Sequence, residues 1–179
     1  MPRGDRLDAG GYAADLARQP VAPWWALDRR QNRRLPGQPG RSALAAGRWE
    51  EALLLLPEVE RFPAARYRLR VVELPPTPYL QWELHGLRAR ALAGEQVRVV
   101  DAAATAGWEP LPDLLVVGDN LVYELRYDES GAPAGAVRHR DPGLVEHCRE
   151  LIRVLSARGE DLATFFAREI EPLPPPRAG

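Results

Sequence analysis

Lysine is absent from this chain: all 24 of its Lys/Arg positions are arginine. Schiff-base catalysis, a phosphate-binding loop ending in Gly-Lys-Ser/Thr and a His/Lys phosphodiesterase site are thereby excluded, since each needs a primary amine. Cysteine is almost as scarce. Cys148 stands alone, so neither an intrachain disulfide nor a cysteine metal cluster can form, which fits a reducing compartment and makes the cytoplasm the default location. Long apolar runs are missing as well. Stretches such as Leu53–Pro57 are far too short to span a bilayer, and Met1-Pro-Arg-Gly-Asp5 lacks the apolar core of a signal peptide, so no membrane association is expected. Gly-x-Ser-x-Gly, Gly-x-Gly-x-x-Gly and His-Glu-x-x-His do not occur.

What is present fits one domain with tails, since 179 residues lie within the usual range of roughly 100 to 200 for a single core. Charge is uneven along it. Residues 1–41 carry a net +4 and the remainder −5. Pro20, Pro23, Pro36 and Pro39, with Gly37 and Gly40, break up that first stretch, which predicts an irregular basic arm with one short helix around Tyr12–Arg18. Trp24, Trp25, Arg29, Arg30, Arg33 and Arg34 are the arm's candidates for contact with nucleic acid, an acidic partner or a second subunit in a homodimer. A loosely docked tail is the simpler account, and direct nucleic-acid binding is disfavoured.

Residues 42–171 read as a single α/β domain, and 172–179 as a proline-rich tail. Ser42 opens a helix with Leu44, Ala45, Trp49, Ala52, Leu53 and Leu56 on one face, weakened at Gly47 and ended by Pro57. Arg68–Leu74 alternates as a strand. Thr77-Pro78 caps a helix that runs to Gly94, with Leu80, Leu84, Leu87 and Ala91 facing the core. Gln96–Val100, Asp113–Val117 and Leu121–Tyr127 are further strands, the last two joined as a hairpin by Gly118-Asp119-Asn120, and Gly135–His139 returns beside them. Asp141-Pro142 caps a helix striped by Leu144, Val145, Cys148, Leu151, Ile152 and Leu155, and Glu160–Ile170 forms the last helix. The expectation is a mixed four- to five-stranded sheet flanked by helices.

Few side chains assemble into a chemical pattern. No two histidines have the i, i+4 spacing of a helical metal site, and neighbouring His147 and Cys148 point about 100° apart on a helix, so neither metal nor cofactor is expected. The best constellation is on the Thr77–Ala93 helix, where Tyr79, Glu83, Gly86 and Arg90 form one column beside Trp82. A phenol, a carboxylate and a guanidinium around a gap can grip a polar ligand; a buried Tyr79–Glu83 hydrogen-bonded pair is the plainer account. Asp113 and Asp119 flank a strand and are carried as ligand candidates, although turn and cap roles account for both.

Taken together, Arg70-Val-Val-Glu-Leu-Pro-Pro-Thr-Pro-Tyr-Leu-Gln-Trp-Glu-Leu84, Ala93-Gly-Glu-Gln-Val-Arg-Val-Val100, Leu111-Pro-Asp-Leu-Leu-Val-Val-Gly-Asp-Asn120, Tyr127-Asp-Glu-Ser-Gly131 and Asp141-Pro-Gly-Leu-Val-Glu-His-Cys-Arg149 resemble an actinobacterial family of unknown function, often encoded beside helix-turn-helix regulators. The order of a strand ending in Asp, a hairpin and an Asp-Pro-capped helix is more distantly similar to degenerate phospholipase-D-like sensor domains. That resemblance implies a phospholipase-D-like half that binds a small ligand and has lost its His-x-Lys-x4-Asp site. The expected function is a non-catalytic small-ligand sensor or adaptor working with a helix-turn-helix transcription regulator. The alternative is an enzyme of specialised metabolism with Glu83 as general acid/base, Tyr79 as hydrogen-bond donor and Arg90 as anion clamp.

Overall fold

The centre of the sheet is a strand expected to lie in an irregular arm. In the computed structural model, which describes residues 4–33, 37–108 and 110–176, Trp24–Asp28 (β2) pairs in parallel with Arg66–Val72 (β3) on one side and antiparallel with Leu114–Val117 (β5) on the other. The sheet has eight strands, in the order β1 (Asp5–Leu7), β7 (Pro133–His139), β6 (Leu121–Tyr127), β5, β2, β3, β4 (Gln96–Asp101), β8 (Glu160–Asp161). It is mixed, as expected, and larger than four or five strands, because β1 and β2 come from the first forty residues and β8 is a two-residue edge. Trp24, Trp25, Arg29, Arg30 and Arg33 therefore belong to the sheet and its immediate exit, and form no free arm. Arg34 lies outside the described residues. The helix expected at Tyr12–Arg18 is found as α1 (Ala9–Ala17), with Asp8 capping Gly11 N at 2.7 Å.

Right-handed connection of parallel strands needs a crossover, and helices supply it here. Between β2 and β3 run α2 (Pro39–Ala45) and α3 (Trp49–Leu54). The single helix expected from Ser42 is thus two, parted at Gly47, whose φ of 71° lies in the left-handed region that side chains avoid. Pro39 rather than Ser42 opens α2. Between β3 and β4 runs α4 (Pro78–Leu92), where Thr77 Oγ1 accepts from Leu80 N at 3.1 Å.

Alternation along the strands sorts two faces. Leu27, Leu69, Val71, Val100 and Val116 face α5 (Pro142–Arg158), against Val145, Cys148, Ile152 and Leu155. Val72, Val97 and Val99 face the other way, onto Leu80, Leu84 and Leu87 of α4 and Phe165 and Phe166 of α6 (Leu162–Glu169). Both helical stripes are as expected. Among the described residues no helix is long and apolar enough to cross a membrane.

Because β2 lies between two partners, its loss is not that of a tail. Leu27 is fully buried; Leu27→Ala should lower the unfolding free energy by about 3 kcal/mol, and a chain lacking residues 1–41 should show no cooperative transition, both read by urea denaturation followed by circular dichroism. A truncated chain that unfolds like the full one would return these residues to the status of an appendage.

Candidate functional site

Where β2 ends, the sheet turns charged. Asp28 projects to the α4 face, and in the register of β3 its neighbours on that face are Arg68 and Arg70. Arg70 is fully buried, and Asp28 and Asp113 are almost so, at 3% and 4% exposure. A buried guanidinium is tolerated only when its donors are satisfied. Arg70 donates through Nε to Glu83 Oε2 at 2.9 Å, through Nη1 to the carbonyls of Asp28 at 3.0 Å and Val71 at 2.8 Å, and through Nη2 to the carbonyl of Arg30 at 2.6 Å.

The chain leaving β2 folds over this edge and is pinned to it. Asp113 Oδ1 accepts from the backbone of Arg29 at 2.7 Å, while its Oδ2 accepts from Arg33 Nη2 at 2.8 Å and Tyr127 OH at 2.6 Å. Arg33 also binds Asp28. Gln31 spans to β3, donating to Val71 O at 2.9 Å and accepting from Glu73 N at 2.9 Å, and its carbonyl accepts from the Thr77 hydroxyl at 2.6 Å. From α4, Tyr79 OH donates to Glu83 Oε1 at 2.8 Å.

These contacts fix protonation states. Burial pushes the Asp28 carboxyl up, but Arg33, Arg68 and Arg70 outweigh it and hold the group well below the usual carboxylate range. Arg33 goes the opposite way: burial would lower it, and Asp28, Glu83 and Asp113 raise it. Tyr79, raised by burial and by Glu83, remains a phenol that can donate; Tyr127 does too, its burial and Asp113 outweighing the lowering effect of Arg33. The arrangement orients and neutralises charge, with both oxygens of Glu83 already accepting hydrogen bonds.

Beside the network lies a cavity of about 210 Å³, lined in part by Arg33, Arg68, Tyr79, Glu83, Gly86 and Arg90. The expected column on α4 is thus found along one wall. Tyr79 and Glu83 form the anticipated pair, and Arg41 lies 4.4 Å from the Tyr79 ring. Arg90 is committed to Glu95. The gap at Gly86 is partly filled, since a Cβ there would lie 3.3 Å from Leu56 Cδ2. Trp82 lines the cavity while packing among Ala43, Trp49 and Ala52, and its Nε1 donates to Ala52 O at 2.8 Å.

Asp113 and Asp119 are not brought together. They sit at opposite ends of β5, Asp113 inside the network and Asp119 exposed against Arg149. Trp24 and Trp25 lie at the far end of β2 from Arg29 and Arg30: Trp24 is covered by Arg66 at 3.5 Å, Trp25 stacks on Tyr67, and Arg30 covers Tyr127 at 4.1 Å. Cys148 is buried in the α5 layer, which pushes its thiol up to about 11. Among the described residues no group of three or more His, Cys, Asp or Glu is placed to hold a metal ion.

With this geometry the chain can be compared with known proteins. Residues 15–167 match the model of a family described as a domain of unknown function, DUF6879. The chain belongs to that family. The DUF6879 domain also has a distant structural resemblance to Nuc, a phospholipase D family member from Salmonella typhimurium, at 10% identity and a TM-score of 0.48, covering 84% of this chain and 90% of that one. It is similar as well to TrmBL2, described as an archaeal chromatin protein with a novel mode of DNA binding, at 12% identity and a TM-score of 0.42; 83% of this chain is covered, and it spans 48% of that chain, about half. No curated protein matches.

Asp28, Arg68, Arg70, Gln31 and Tyr127 belong to this candidate site and were not singled out from the sequence. The usable signal was Arg66, Arg68 and Arg70 at alternate positions of one strand, a pattern that ordinarily marks a solvent face. In the DUF6879 domain, Asp28 offers a direct test. A group whose folded pKa lies below its unfolded value of 3.8 contributes stability that is full above that value and lost as pH falls through the folded one. Asp28→Asn should cost about 3 kcal/mol at pH 7 by leaving buried guanidinium uncompensated, and in urea titrations the gap to wild type should begin to narrow as pH falls below the unfolded value of 3.8 and go on narrowing toward the much lower folded one. A constant gap would remove Asp28 from the acid sensitivity of the fold.

Proposed function

We propose that this domain is a non-catalytic binding module that takes a small anionic ligand into the cavity between α4 and the Arg33 segment, acting as a sensor or adaptor for the helix-turn-helix regulator implied by the family resemblance. The observation that supports this reading most is the state of Arg33. Its Nε is buried and has no hydrogen-bond partner, while Nη2 of the same guanidinium is held by Asp28 and Asp113 and Nη1 lies 4.0 Å from Glu83. A buried donor left open costs free energy that a ligand acceptor would recover. Arg68 and Arg90 line the same cavity with the one carboxylate of Glu83, so cations outnumber anions among its charged lining residues, and Arg68 and Arg90 are each paired with a carboxylate outside it. A volume of about 210 Å³ is below the roughly 300 to 1,000 Å³ of drug-sized ligand sites and favours a compact acid.

The enzyme reading draws less support. A general acid/base must exchange a proton with substrate, and both Glu83 oxygens are occupied by Arg70 and Tyr79, while Arg90, its proposed anion clamp, is held by Glu95.

Isothermal titration with a panel of small mono- and dicarboxylates and inorganic phosphate should give at least one ligand whose affinity falls tenfold or more in Arg33→Gln and less in Arg90→Gln, because Arg90 is already paired. If no member of the panel binds at millimolar concentration, or if binding is unchanged in Arg33→Gln with the fold intact, the cavity is not a receptor. Co-purification with a neighbour-encoded regulator tests the adaptor part.

A further inference from the structure

Trp25 remains outside the function proposed above. It lies on the α5 face of β2, and the parallel register sets it beside Tyr67 of β3, so the two rings stack with centroids 5.5 Å apart and planes 11° from parallel. Both are only part-buried. They form one wall of a cavity of about 350 Å³ under the C-terminal half of α5, with Arg98, Ile152, Ser156 and Ala157 around it. Ile152 is a dry floor at 1% exposure.

The cations here differ in kind. Arg149, whose guanidinium lies 5.3 Å from the Trp25 ring, is paired with Asp119 and Glu146, and Arg153 with Glu150. Arg98 is held only by carbonyls: Nε donates to Ser156 O at 3.3 Å and Nη2 to Gly159 O. Among the described residues no carboxylate lies within 4.0 Å of it. Backbone carbonyls fix the direction of a guanidinium without cancelling its charge, which leaves an oriented cation at the end of an aromatic wall. The Tyr67 hydroxyl and the Trp25 indole N–H bond to no described residue and are also open to an occupant.

We infer that this cavity is a second binding site, on the opposite face from the Arg33 cavity, for a planar aromatic monocarboxylate. The flat ring stacks along Trp25 and Tyr67 and packs on Ile152 and Ala157, where aromatic contact adds to simple burial. The carboxylate meets Arg98. The volume lies within the range of ordinary ligand sites, with an apolar lining and few convergent polar groups. A single guanidinium without a carboxylate ion pair sets the preference for one acidic group, since the neighbouring Glu160 is itself bridged by Arg168.

The test is calorimetric titration of the full chain with indole-3-carboxylate, its neutral isostere indole-3-carboxamide, and the non-planar cyclohexanecarboxylate. The first should bind at one site at least tenfold more tightly than either of the others. Arg98→Gln should weaken the carboxylate tenfold while leaving the carboxamide unchanged, a split that general destabilisation would not produce. Ala157→Trp, at an exposed position on α5, should fill the cavity and abolish binding without moving the unfolding midpoint. Arg33→Gln should leave this binding intact even if it removes the ligand of the other face. No binding at millimolar concentration, equal binding of all three probes, or binding that survives Ala157→Trp and fails in Arg33→Gln would overturn the assignment.

Discussion

Complete pairing of the buried Arg70 guanidinium is the constraint on which the rest of this structure depends. Four acceptors converge on it, from the end of β2, the end of β3, the segment after β2 and Glu83 on α4. Removing a charge from water costs several kcal/mol even after relaxation, and only good geometry with every donor satisfied offsets it. The four partners must therefore hold fixed positions relative to one another. That requirement places α4 against the sheet, draws the Arg29–Arg33 segment across the strand ends, and so creates the cavity beside it.

Much of this was legible in the sequence where local chemistry decides structure. Thr77, Pro78 and Gly94 delimit α4; Gly118-Asp119-Asn120 turns the β5–β6 hairpin; Asp141-Pro142 starts α5. The Tyr79–Glu83 pair follows from helix geometry alone. β2 was not legible, because five residues between Pro23 and Arg29 form a central strand only through partners far along the chain, and burial on both faces gives it no alternation to read. Arg70 was hidden by the reverse effect. Its strand alternates well, and alternation assigns the polar positions to solvent unless acceptors cover them, which for Arg70 are the Glu83 carboxylate from α4 and the Asp28 carbonyl from the neighbouring strand.

The same alternation gives the sheet two chemically distinct faces. On the α4 side, beside its apolar patch, charges meet and largely cancel, and Arg33 Nε is among the buried donors left open. On the α5 side the layer is apolar up to its margin, where Trp25 and Tyr67 stack beside Arg98. One strand register, Trp25 with Tyr67 and Asp28 with Arg70, thus places aromatic rings on one face and an ion network on the other. A shift of that register by one residue would exchange the two sets.

The position of β2 also governs how the molecule is made. Its residues are synthesised early, yet Leu27 pairs with Leu114, about half the chain away. Loop closure of that length is slow relative to local hairpins and helices. The β5–β6 hairpin and α5 have the contacts to form first, and the β2 segment, with its tryptophans and aliphatic side chains, must stay accessible until β5 emerges to receive it.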